Sequence, residues 1–108
     1  MHHRLQVASW ALDGALTVAG DDPVPSMATV VDVMAVKREV ILAAAEVTDM
    51  AMDLGGAGAY RTGSPIERAY RDVRAGRFHP FDPETTLIHA GRTELGLSND
   101  QPADWSMR

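Results

Sequence analysis

Gly55-Gly56-Ala57-Gly58 is the first place in this 108-residue chain where bare backbone could meet a ligand. A dinucleotide fingerprint would need a preceding strand, a following helix and a third glycine three residues on. Position 61 is Arg61 and a helical pattern precedes, so that motif is set aside. What remains is a turn that brings backbone close to a ligand or a neighbouring chain, or a plain helix stop, since glycine serves both. A cationic run follows, with Arg61, Arg68, Arg71, Arg74 and Arg77 against only Glu67 and Asp72. Such a run binds phosphate, pairs with a partner's carboxylates, or forms a solvated helix face with internal ion pairs, and the residues leave these open. His2, His3, His79 and His89 show no paired spacing on one helix face and no carboxylate that completes a ligand set, so no metal site is expected. No Ser, His and acid arrangement stands out, and no residue is assigned a catalytic role.

Composition narrows the partners. The net charge of -5 argues against nucleic acid, because duplex affinity comes mainly from neutralised phosphates. No apolar run approaches the roughly 20 residues of a membrane span, so no membrane partner is expected. The absence of cysteine removes disulfides and thiolate metal sites and suggests a cytoplasmic setting. The length allows one small domain with a modest core.

The elements that must position these residues are helical throughout. Leu5, Ala8, Leu12, Ala15, Leu16 and Ala19 recur at three- and four-residue steps, with Gly20 as the stop. Val7, Trp10, Ala11 and Val18 make a second apolar face, so this helix expects neighbours on two sides. After a linker with two prolines, Ser26 caps a helix from Met27 to Leu54 whose stripe is Val30, Met34, Lys37, Ile41, Ala44, Val47, Ala51 and Leu54. At 1.5 Å per residue it runs roughly 42 Å, longer than a globule of this mass is wide. The glycine turn ends it. Ser64-Pro65-Ile66-Glu67 then reads as cap, first-turn proline and capping-box carboxylate, opening a short helix to about Ala75 that Gly76 closes. Asp82-Pro83 repeats that grammar for a last helix through Leu95. The expected class is all-α, an antiparallel helical bundle over residues 1–97, followed by a disordered tail over 98–108 in which Trp105 is the only large apolar group.

Taken together, Leu54-Gly55-Gly56-Ala57-Gly58, Ser64-Pro65-Ile66-Glu67-Arg68, Tyr70-Arg71-Asp72-Val73-Arg74, Arg77-Phe78-His79-Pro80 and Gly91-Arg92-Thr93-Glu94-Leu95-Gly96 resemble the C-terminal signature of acyl-CoA dehydrogenases. The resemblance covers roughly Val7 to Leu97. It implies part of a C-terminal four-helix bundle of a much longer flavoprotein, which removes two hydrogens from an acyl-CoA thioester and passes a hydride to FAD. By resemblance Leu54, Gly55 and Gly56 match a turn that approaches FAD held by a neighbouring subunit, and Glu84 matches an acidic residue of the adenosine-contacting segment. Arg68, Arg71, Asp72 and Arg74 match positions read as a structural ion-pair network fixing the short helix, on which Arg68 and Asp72, four apart, can close a pair on one face.

Two departures bear on activity. Where many relatives place a glutamate base and a glycine, this chain has Pro80 and Phe81, and Met52 stands where glutamine is common. The base then lies outside this chain or the chain is not catalytic, and the isolated chain is expected to be inactive. FAD and acyl-CoA are expected only in a completed assembly, formed with the missing dehydrogenase domains or as a homo-oligomer. Two other functions share the scaffold: a non-catalytic interaction or oligomerisation module, and a flavin-dependent monooxygenase.

Overall fold

In the computed structural model, which describes residues 1–100, three helix starts marked by the sequence carry the cap expected of them. Ser26 Oγ accepts the Thr29 N–H (3.1 Å), Ser64 Oγ accepts that of Glu67 (3.0 Å), and an Asp82 carboxylate oxygen accepts that of Thr85 (2.7 Å). Each satisfies an amide that the first turn leaves without an intrahelical partner. The helices are α1 (His2–Ala19), α2 (Met27–Tyr60), α3 (Pro65–Val73) and α4 (Pro83–Glu94), with a 3₁₀ turn over Arg74–Arg77. No strand forms among the described residues, so the all-α class holds.

The long helix is the spine. Arg4, early in α1, pairs with Glu46 far along α2 (2.8 Å), while Val18, late in α1, lines a groove with Thr29 and Val33 near the start of α2. Those two levels make α1 and α2 antiparallel. Arg74 reaches Asp49 (3.9 Å) and Gly55 faces Ile66, so α3 also runs back along α2. The start of α4 is held where Arg38 Nε donates to the Pro83 carbonyl (3.3 Å). Among the described residues α1, α3 and α4 all pack on α2 and scarcely on one another.

Which face of α1 is covered differs from the sequence expectation. The side toward α2 is a ridge of Ala8, Ala11, Ala15 and Ala19, and of these Ala8 is buried. Leu5, Leu12 and Leu16, expected in the same stripe, stay exposed on one flank, and Val7, Trp10 and Val18 stay exposed on the other. The reason is steric: alanine brings two helix axes close, and the larger side chains then fall to either side of the contact. The fully covered hydrophobic residues among those described are Ala8, Val31, Ala43 and Ala59, all small. Larger side chains of α2, among them Val40, Ile41, Leu42, Val47 and Met50, are only half-buried.

Two glycines behave differently from the expectation. The helical path breaks at Gly56 (φ 60°, ψ -150°), as a glycine stop should, but Ala57–Tyr60 resumes helical conformation instead of forming a loop. Gly76 is not a positive-φ stop at all. A Cβ there would come within 2.8–3.0 Å of Ile41, so its missing side chain lets the 3₁₀ turn lie directly on α2. At the end of α4, Gly96 (φ 68°) is the stop, with Gly96 N–H on the Thr93 carbonyl and Leu97 N–H on that of Arg92, the crossed pair of a Schellman cap.

Beyond that cap, Asn99 Nδ2 donates to Thr93 Oγ1 (2.7 Å) and to the His89 carbonyl (3.3 Å), tying residues 98–100 to α4. The rest of the expected tail, Trp105 included, lies outside the described residues.

Candidate functional site

The glycine turn sits at the far end of α2 and points outward. Leu54 is 76 % exposed, and Gly55, Gly56, Ala57 and Gly58 are exposed with it. The three candidate positions divide by cause. At Gly55 a Cβ would collide with the Ala59 side chain and crowd Ile66, so this glycine is required by the protein's own packing. At Gly56 a Cβ would meet nothing, but the backbone conformation is one that L side chains rarely adopt. The result is a stretch of open backbone at Gly56, with the exposed Leu54 side chain two residues before it.

The turn is held from behind by the start of α3. One hydroxyl does most of this work: Ser64 Oγ donates to the Ala59 carbonyl (2.5 Å) while accepting the Glu67 N–H. The Glu67 carboxylate returns to the Gly63 N–H (3.2 Å), one residue before the cap, because the Ser64 N–H is already given to the Arg61 carbonyl. The capping box is therefore present but shifted by a residue.

The arginines do not converge. Arg68 meets Asp72 at 3.7 Å, Arg71 meets Glu67 at 3.4 Å, and Arg74 stacks on Tyr70 while its guanidinium donates to the phenol oxygen (2.5 Å). The Arg68–Asp72 pair forms as its spacing predicts, but Asp72 is 62 % exposed, so the pair is solvated and not buried among the arginines. Side chains at i and i+4 meet on a solvated face, and α3 presents that face outward because its other side lies on α2.

Glu84 lies elsewhere. It occupies the first turn of α4, exposed, beside a groove of about 410 Å³ shared with Arg74, Arg77, Phe78, Asp82 and Pro83. That end of α4 is docked at Arg38, and from Arg38 to Gly55 the spine runs roughly 25 Å at 1.5 Å per residue. The fold thus brings Leu54, Gly55 and Gly56 together and keeps Glu84 apart from them.

Sequence reasoning overlooked Lys37. Its ammonium donates to three successive carbonyls, those of His79 (2.8 Å), Pro80 (2.9 Å) and Phe81 (3.1 Å). Three donors meet three acceptors, which fixes the linker from His79 to Phe81 against α2. The signal was available, since Lys37 is the one charged member of an otherwise apolar stripe.

Among the described residues no group of His, Asp and Glu could hold a metal ion, and no helix is long and apolar enough to cross a membrane. A second groove, of about 620 Å³, lies between the end of α1 and the start of α2. Compared with known proteins, residues 2–82 match the family model described as acyl-CoA dehydrogenase, C-terminal domain. No curated protein and no solved structure matches the chain. The family match ends at the cap of α4, so it contains the glycine turn and not Glu84.

Proposed function

The chain belongs to the acyl-CoA dehydrogenase C-terminal domain family, and from that premise we propose that residues 1–97 are the helical C-terminal portion of an FAD-dependent acyl-CoA dehydrogenase, contributing a surface to the flavin site rather than the chemistry. The observation that carries this reading is the open backbone at Gly56, displayed at the end of a long spine and braced by Ser64 from behind. A cofactor edge can approach such backbone closely, an approach that the missing Cβ and the positive φ of Gly56 favour. Leu54 adds an exposed apolar side chain to the same turn, and Gly55 lets the turn close tightly on α3.

In this family the flavin supplies the redox chemistry, accepting a hydride as the α proton of an acyl thioester leaves. This chain's own residues orient. Lys37 holds His79 to Phe81 in place, and Glu84 serves a separate edge some distance away, a contact that requires an extended ligand or another subunit. Completion by the remaining dehydrogenase domains, or by further copies of the chain, is part of the proposal.

FAD titration tests it. The chain alone is expected to stay colourless and to hold FAD more weakly than micromolar, whereas co-expression with the other domains of an acyl-CoA dehydrogenase should give a retained flavin. A stoichiometric yellow complex with the isolated chain, worth roughly 8 kcal/mol or more, would mean that the flavin pocket lies here. Failure to retain flavin in either arm would remove the cofactor from the proposal.

A further inference from the structure

The linker over residues 78–82 is held to α2 mainly by its backbone. Phe78, His79 and Pro80 are exposed, and Phe81, half-buried, stacks its ring on His89 at 4.6 Å. On the α2 side Lys37 takes the carbonyls of His79, Pro80 and Phe81, and its neighbour Arg38 takes that of Pro83. Neither contact reads a side chain of the linker. Phe78, Pro80, Phe81 and Asp82 line a groove of about 290 Å³ together with Arg77 and Thr85, so the closure of this segment sets the shape of that groove.

The cation at the centre is selected by shape. The chain has nine arginines and one lysine, and every salt bridge among the described residues is made by an arginine. The lysine faces oxygens without formal charge. Its acceptors belong to three consecutive residues and lie 2.8, 2.9 and 3.1 Å from one nitrogen. Among the described residues no other hydrogen bond reaches these carbonyls. Backbone oxygens gathered on one point in this way replace the hydration shell of a small cation. An ammonium suits that centre, because it is a compact point charge with three rotatable donors on a single atom. A guanidinium does not, because its donors are spread over a planar, rigid fork.

We infer that the backbone of residues 79–81 is a binding site for a compact primary ammonium, and that Lys37 is its tethered ligand, a clasp that keeps the linker closed on α2. Lys37 is thus a positioning residue whose effect depends on cation chemistry and not on charge alone. With the lysine's own ammonium removed, the same three carbonyls accept a free alkylammonium of matching length and refuse a cation that carries no N–H. This concerns the linker and stands whether or not the chain meets a flavin.

A single lysine makes the test direct, and it uses the full 108-residue chain. Isotopic labelling of the lysine nitrogen should give one side-chain ammonium resonance. Its solvent exchange should be slowed at least about tenfold against free lysine, the lower end of what hydrogen bonds to a charged group provide. Lys37→Ala should lower the melting temperature and move the ring signals of His89, which sense Phe81 stacked on it. Propylammonium chloride supplies the part of the side chain that alanine lacks and should reverse both changes saturably at fixed protein concentration. Tetramethylammonium chloride, of equal charge but without an N–H, should reverse neither. Lys37→Arg keeps the charge and should still leave the His89 signals displaced. An unprotected lysine resonance, Lys37→Arg that behaves like wild type, or a folded Lys37→Ala on which propylammonium does no more than tetramethylammonium would each overturn the inference. Should Lys37→Ala not fold, the labelled wild type and Lys37→Arg decide the matter.

Discussion

Single side chains in this protein are worth what their surroundings allow, and Asp72 and Lys37 mark the two ends of that range. Asp72 faces one exposed arginine at 3.7 Å. Exposed pairs of this kind contribute about 0–1 kcal/mol, so Asp72→Asn should move a urea midpoint very little. Lys37 is half-buried and gives each of its three N–H groups to a carbonyl. Lys37→Met keeps most of the stem while leaving three acceptors without their donor, and a loss of about 2 kcal/mol is expected in the same measurement, on the scale of hydrogen bonds to a charged group. Ser64→Ala removes a hydroxyl that both caps α3 and binds the Ala59 carbonyl, which places it at about 1–2 kcal/mol. The ranking is the test: Asp72→Asn costing as much as Lys37→Met would contradict the exposed geometry of α3.

At the scale of the element, glycine is required at some breaks and not at others. Gly56 and Gly58 are neighbours in one turn, both exposed and both open to a Cβ, but Gly56 alone has a positive φ. Gly56→Ala should therefore cost about 1–3 kcal/mol in backbone strain. Gly58→Ala should be neutral or stabilising by about 0.4–1 kcal/mol, because it restricts the unfolded chain without straining the folded one. Thermal unfolding of the two variants side by side decides the matter, and equal effects would mean that the path through the turn is not the one described. Gly76→Ala probes packing instead: the added methyl meets Ile41, and α2 and the 3₁₀ turn must part, at about 1–3 kcal/mol for an overpacked contact.

The whole molecule is a spine with three helices laid on it, and its exposed apolar flanks govern how it behaves in solution. Leu5, Leu12 and Leu16 on one side of α1 and Val7, Trp10 and Val18 on the other exceed what a soluble monomer of this size usually shows. Association that covers part of this surface stabilises the folded state by mass action, so the melting temperature should rise with protein concentration. A melting temperature that stays constant over a hundredfold range of concentration would mean that the flanks are tolerated as they stand.

Local chemistry is why so much was legible before any coordinates. Ser26, Ser64 and Asp82 cap their helices because a cap needs only a side-chain oxygen within three residues of a free amide, and that relation is written in the sequence itself. The all-α class, the linker prolines and the family resemblance rest on patterns equally local, as does the break in the glycine turn. Which flank of α1 meets α2 was not legible, because Leu5, Leu12 and Leu16 compete with the alanine ridge on hydrophobicity alone, and only the approach distance to a second helix favours the smaller side chains. The same limit applies to Gly76, whose reason is Ile41 on another element, and to Lys37, whose acceptors lie more than forty residues away. Asp72 meets Arg68 one helical turn away, a pairing set within α3 itself, and the packing of α3 on α2 decides only that the pair stays exposed. The sequence determined where the helices after the first begin, at Ser26, Ser64 and Asp82, since a cap is settled within one turn of chain. The tertiary structure alone decided which faces close and which stay open, because that depends on distances between residues that the chain brings together only by folding.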